Sequence, residues 1–207
     1  MKFKKFNNFL LSVFVGFSII LILPACSNLN IQTLNNNAAK LMQQGDVDGA
    51  IARLESIQDL NPNFPQTNYN LGVAYKEKQD LDKSAHYLER AISLKPDFYQ
   101  AHIALSAVYE ELVEKLIQQE LENLKESKKD ENLTVEDIEF TVEQNNKIAE
   151  YYKKAKIGLE EYIKYAPASE DKSSMESKIK EYEANIKSIT VSRDSIHDSA
   201  TSTNNEG

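Results

Sequence analysis

The chain has no tryptophan, only six glycines and five prolines in 207 residues, and a single cysteine. A lone cysteine cannot close an internal disulfide, so no disulfide framework holds this fold together. Scarce glycine and proline, in long stretches without turn signals, argue against a turn-rich β protein and for an all-helical one. Also absent is an apolar run long enough to span a bilayer. The longest, over positions 9–23, falls short of the roughly 20 residues that a spanning helix needs. There is no glycine-rich phosphate loop, no Gly-x-Ser-x-Gly and no calcium loop. Basic charge is in short supply, with 24 Lys and Arg against 32 Asp and Glu. Like charge repels, so nucleic acid is not an expected partner. Of the three histidines, His197 falls in the tail, and His86 and His102 fall on neighbouring helices. No cysteine or suitably spaced carboxylate completes a metal site around them. No catalytic constellation is visible and no cofactor is expected, so the chain does not read as an enzyme. A hydrolase with an unrecognised site is a weak alternative.

What is there begins with Met1-Lys2-Phe3-Lys4-Lys5, three positive charges with no acid, ahead of the short apolar run. A basic start, a short apolar core and a small residue before a cut describe a secretory signal over residues 1–25. The run closes on Leu23-Pro24-Ala25-Cys26. This resembles the lipobox of bacterial lipoproteins, in which the cysteine is diacylated (palmitate among the acyl groups) and becomes the new N-terminus. The resemblance makes Cys26 a lipidation site and places the protein in a bacterial cell envelope. Ser27, where Asp would signal inner-membrane retention, favours the outer membrane if two-membrane sorting applies. The competing readings are an uncleaved anchor, or an ordinary signal in which Cys26 is incidental. Removing residues 1–25 takes away three lysines and no acids, which leaves positions 26–207 with a net charge of −11. That length can bury one real core. Helical patterning starts near Ile31, about five residues after Cys26, so the domain would sit within ~20 Å of the bilayer.

Residue classes recur along the chain at a shift of about 34 residues, and such a period marks stacked supersecondary units. Leu41 becomes Tyr75, Ala50 becomes Ser84, Leu54 becomes Leu88, Ile57 becomes Ala91 and Pro62 becomes Pro96. A further step gives Leu105, Ser106 and Tyr109. Each half-unit has apolar residues at three- and four-residue spacing, the pattern of an amphipathic helix, and a proline closes the unit. Tyr69-Asn70-Leu71-Gly72-Val73-Ala74-Tyr75, with Ser84, Leu88, Ala91 and Pro96, resembles the tetratricopeptide repeat (TPR). Departures are Asn37, where an apolar residue is usual, Leu34 in an aromatic position, and Gln79 in place of a turn glycine. The resemblance implies an all-α solenoid of about three repeats with a capping helix, spanning residues 26–191. It also implies a concave groove lined by first helices: Asn35, Ala39 and Met42, then Tyr69, Asn70, Val73 and Lys76, then Ile103, Ala107 and Glu110. This set lacks the Lys/Asn pattern with which some members clamp a C-terminal carboxylate. An apolar or helical segment, with Tyr69 as an anchor, suits it better.

The third unit is interrupted. Its closing proline is due at position 130 but stands at Pro167, a delay of 37. Residues 113–147 then form an insertion, and apolar positions continue through it: Leu112, Val113, Leu116, Ile117, Leu121 and Leu124 before a charged break, then Ile138, Val142, Ile148 and Tyr152. The pattern predicts that both helices of the unit run on by a similar length, ~25 Å each, forming a coiled-coil hairpin with Thr134 capping the second. Residues 110–147 hold 12 acids and five lysines. A solvated face is the plain reading of that charge, and a dock for a basic partner the sharper one. Met175, Ile179, Tyr182, Ile186 and Ile189 form the covering stripe of a capping helix over about 169–191, followed by a disordered polar tail over 192–207. The function expected is a membrane-anchored adaptor that binds a partner protein, such as an envelope or integral membrane protein, through groove or arm. A homo-oligomer built through the arm is the alternative.

Overall fold

The computed structural model describes residues 30–168, 170 and 172–202, and these are helical throughout apart from short connections. The signal segment expected over residues 1–25 and the expected lipidation site Cys26 lie outside the described residues. Helix α1 covers residues 30–43. It is followed by α2 (Val47–Leu60), α3 (Pro65–Glu77), α4 (Leu81–Leu94), α5 (Tyr99–Lys128), α6 (Val142–Tyr165) and α7 (Ser173–Ser202).

Local chemistry sets these limits. Asp46 and Asp80, one period apart, each cap a second helix by accepting a hydrogen bond from the backbone N–H three residues on, Gly49 N at 2.9 Å and Lys83 N at 3.3 Å. Pro65 opens α3 at a position where its missing N–H costs nothing. The turns before the Asp caps need a left-handed residue, supplied by Gly45 (φ 80) and Gln79 (φ 61). The bonds Asp46 N→Leu41 O (3.0 Å) and Asp80 N→Tyr75 O (3.0 Å) close both turns in the same way.

Within a unit the two helices nearly touch. Ser84 Oγ donates to the Gly72 carbonyl at 2.7 Å. A Cβ on Gly72 would lie 2.5 Å from Leu88 Cγ. In the third unit the roles reverse, and Ser106 Oγ donates to the Ala155 carbonyl at 2.8 Å. Here a Cβ on Gly158 would meet the His102 carbonyl at 2.8 Å. The same crossing therefore joins positions 12 apart in the second unit and 49 apart in the third, and the whole insertion lies between. Adjacent units interlock as well: Tyr75 donates to Glu55 at 2.6 Å, and Tyr109 to Glu89, each 20 residues back. Two apolar clusters result. One joins α1, α2 and α3 around Leu54, Ile57 and Leu71. The other joins α4, α5, α6 and α7 around Leu88, Val108, Leu159 and Tyr182.

The register explains why α5 runs on. The left-handed position at 45 and 79 recurs at Val113, and a β-branched residue disfavours that conformation. Val113 is instead helical and 1 % exposed. The arm is less symmetrical than the sequence pattern predicts. α5 continues to Lys128, where Lys129 (φ 52) stops it, but α6 starts only at Val142. Thr134 caps a 3-10 turn over Val135–Asp137 through reciprocal bonds with Asp137. Thr141 and Gln144 form the capping box of α6. The chain between is extended at Ile138 and brings Phe140 to a cavity of about 190 Å³, where it meets Ile117, Ile148, Tyr152 and Ile189. Phe140 is half-buried there. α7 continues to Ser202, beyond the start of the tail expected at 192. Neither proline nor glycine occurs between Pro167 and Gly207 to stop it.

Gln79 sits in a conformation that costs a side chain about 1 kcal/mol relative to glycine. Gln79→Gly is therefore expected to raise stability by about that amount in urea denaturation. A loss of stability would contradict the assigned turn.

Candidate partner-binding face

α1, α3 and α5 lie side by side as the first helices of successive units. Asn35 joins the first two: its Nδ2 donates to Thr67 Oγ1 at 2.8 Å, and its Oδ1 accepts from Asn70 Nδ2 at 3.0 Å. Lys76 on α3 pairs with Glu111 on α5. Lys178 on α7 pairs with Glu110 on α5, so α7 extends the row as a fourth member.

The residues named from the sequence divide accordingly. Asn35 is 1 % exposed and belongs to the interior, not to a groove lining. Its spacing marks the right helix face, but its polar group is used up between helices. Ala39, Met42, Asn70, Val73 and Lys76 are half-buried along the row. Tyr69 is half-buried too, with its ring 5.0 Å from that of Phe98, which commits it to the junction between the second and third units. Burial raises its phenol pKa. Ile103, Ala107 and Glu110 line a cleft of about 220 Å³ whose other wall is Met175, Lys178 and Tyr182 of α7. The apolar stripe of α7 is visible in the sequence. That Lys178, on the same helix, neutralises Glu110 is not, because the partners are 68 residues apart.

The face carries little free charge. Lys76 and Glu110 are both held in ion pairs. Half-exposed pairs like these contribute about 0–1 kcal/mol each, so their effect is to cancel charge more than to stabilise. Glu111 Oε2 is enclosed and makes no hydrogen bond, which leaves one acceptor unmet between α3 and α5. The histidines are not brought to one site. His102 is buried, with Nε2 2.8 Å from the Pro96 carbonyl, and His86 is exposed beside Tyr87. Among the described residues no cluster of His, Cys, Asp or Glu could hold a metal, and no helix is long and apolar enough to cross a membrane.

Residues 41–107 match the tetratricopeptide repeat family. The fold is a short TPR solenoid. The first TPR of Spaghetti (RPAP3), solved bound to the HSP90 peptide SRMEEVD, is 14% identical with a TM-score of 0.51, over 74% of this chain and 90% of that one. The first TPR domain of human RPAP3 is 14% identical with a TM-score of 0.52, over 77% of this chain and 94% of that one. The Sgt2 TPR domain from Aspergillus fumigatus is 16% identical with a TM-score of 0.50, over 76% of this chain and 80% of that one. At these identities the likeness is one of fold. No curated protein matches the sequence. In TPR terms, α1/α2 and α3/α4 are the first two repeats, α5/α6 the enlarged third, and α7 the cap.

The interlocks make an alkaline prediction. The pKa values of Tyr75, Tyr109 and Tyr182 are all raised, first by burial and then by the carboxylates of Glu55, Glu89 and Glu110. The folded state then holds these protons more tightly than the unfolded chain. The associated stability is complete below the unfolded pKa of about 10 and is lost as pH rises above it. Tyrosinate absorbance followed alongside circular dichroism should show these phenols ionising together with loss of helix. Free-tyrosine titration of all ten tyrosines with the helix signal intact would contradict this.

Proposed function

We propose that this TPR protein is a non-enzymatic adaptor, anchored to a bacterial envelope membrane through lipid on Cys26, whose first-helix face holds a partner protein. The observation that carries the binding reading is the row Ala39, Met42, Val73, Ile103 and Ala107, half-buried and apolar, beside charges already paired with each other. Such a face suits an apolar or helical segment with few charges. In the RPAP3 neighbour a TPR of this fold holds the HSP90 peptide SRMEEVD. Here Lys76 is committed to Glu111, so an acidic peptide ending in a free carboxylate is a poor fit.

Support for anchoring comes from the sequence Leu23-Pro24-Ala25-Cys26 behind a basic start and a short apolar run. Two or three acyl chains hold where one would be reversible, because each buried methylene adds ~0.8 kcal/mol. With an outer-membrane anchor the adaptor would serve envelope assembly, and an integral membrane protein is the natural class of partner. An oligomer built through the arm is the weaker reading, since Phe140 and α7 already cover part of the arm's apolar side.

The test is affinity capture from solubilised membranes by the full-length lipidated protein and by Val73→Glu/Ile103→Glu. The double variant should lose the partner while keeping its helix content. Retention of the same partner would exclude the face.

A further inference from the structure

The inter-repeat connections all lie at one end of the solenoid. Arg90 Nη2 donates to Asn63 Oδ1 at 2.7 Å, tying the first connection to the last turns of α4. The ring of His102, bonded to the Pro96 carbonyl, stacks 6.0 Å from Tyr165 at the end of α6. Lys172 Nζ donates to the Ile163 and Ala166 carbonyls at 2.6 and 2.9 Å. α1 starts at this same end. Asn35, in its first turns, meets Thr67 and Asn70 in the first turns of α3, so the two helices run parallel. Residues 27–29 separate Cys26 from the described part of α1, and a stretch that short reaches at most ~14 Å.

Resting on the anchoring proposed above, we infer that this end is a foot set against the bilayer headgroups, and that the arm points away from the membrane. The foot carries Leu60, 76 % exposed at the end of α2, and exposed Pro62, Pro96 and Pro167. Its charges are mixed: Arg90, Lys95 and Lys164 stand among Asp59, Asp97 and Glu170. The opposite end has an acidic excess, with exposed Asp130, Glu131, Glu136, Asp137, Glu139 and Glu143 against exposed Lys128 and Lys129. Anionic headgroups repel that tip and tolerate the foot. α5 starts at the foot and is 30 residues long, which puts its far end ~45 Å further out. That is several Debye lengths, at about 8 Å each in physiological salt. The arm thus extends the reach of an anchored protein whose repeats stay close to the lipid.

The test uses full-length lipidated protein carrying Leu60→Cys, Asn63→Cys or Glu131→Cys, with a donor dye on the new thiol. Each is bound to phosphatidylethanolamine vesicles containing a minority of phosphatidylglycerol and an acceptor-labelled headgroup. Energy transfer should be severalfold stronger from 60 and 63 than from 131. Equal transfer, or the reverse order, overturns the orientation while leaving anchoring intact. If Cys26 itself takes up the dye and the protein stays off the vesicles, the anchoring fails and the orientation fails with it.

Discussion

The close crossing of the two helices within each repeat is the constraint on which the rest depends. Ala38 and Ala50, Gly72 and Ser84, Ser106 and Ala155 hold the corresponding positions, and all are fully or almost fully buried. Small side chains let the backbones approach, and a serine on one helix then reaches a carbonyl on the other. That proximity lets Leu54, Leu88 and Leu159 fill the space beyond. Truncating a buried leucine of this kind typically costs about 2–5 kcal/mol. The crossing also fixes the relative rotation of the helices. It therefore determines which side chains are left on the outer row of first helices and are available to a partner.

The arm follows from a change at one point in the register. The first two repeats turn at a left-handed residue, 45 and 79, followed by an aspartate cap. In the third, Val113 takes the turn position, and the insertion carries the cap position on to Tyr151. Neither can do the local job, so both helices run past the usual boundary. The crossing at Ser106 and Ala155 is nevertheless made as in the shorter repeat, and α7 packs behind it through Tyr182, 1 % exposed. An unusually large third repeat thus keeps an ordinary base, and an extension is added without disturbing the face formed by α1, α3 and α5.

Periodicity made much of this legible in the sequence. Leu54 and Leu88 recur because packing demands them, and Pro62 and Pro96 because each follows the end of a second helix. The spacing of Pro96 and Pro167 locates the interruption. The apolar stripe of Met175, Ile179 and Tyr182 announces a helix covering the last repeat. What the sequence left obscure depends on partners far away in the chain. Asn35 reads as a groove residue until Thr67 and Asn70 are seen to enclose it. Lys76 and Glu110 read as available charges until Glu111 and Lys178 are seen to pair with them. Thr134 followed by acids is a sound cap signal, yet it caps one 3-10 turn, and α6 starts from its own capping box at Thr141 and Gln144. Gly158 gave a signal that could have been read: a glycine inside a long helix is usually there for close approach, and here it admits the His102 carbonyl.

The arm is an addition to an otherwise complete TPR-like solenoid. The most direct test replaces residues 112–151 with the Lys78-Gln79-Asp80 turn, which restores the spacing of the second repeat. An added arm leaves behind a helical protein of lower stability that still unfolds in one cooperative urea transition, with the Ser106–Ala155 crossing intact by NMR. A chain with no cooperative transition would contradict this, and would show that the repeats depend on the arm for their fold.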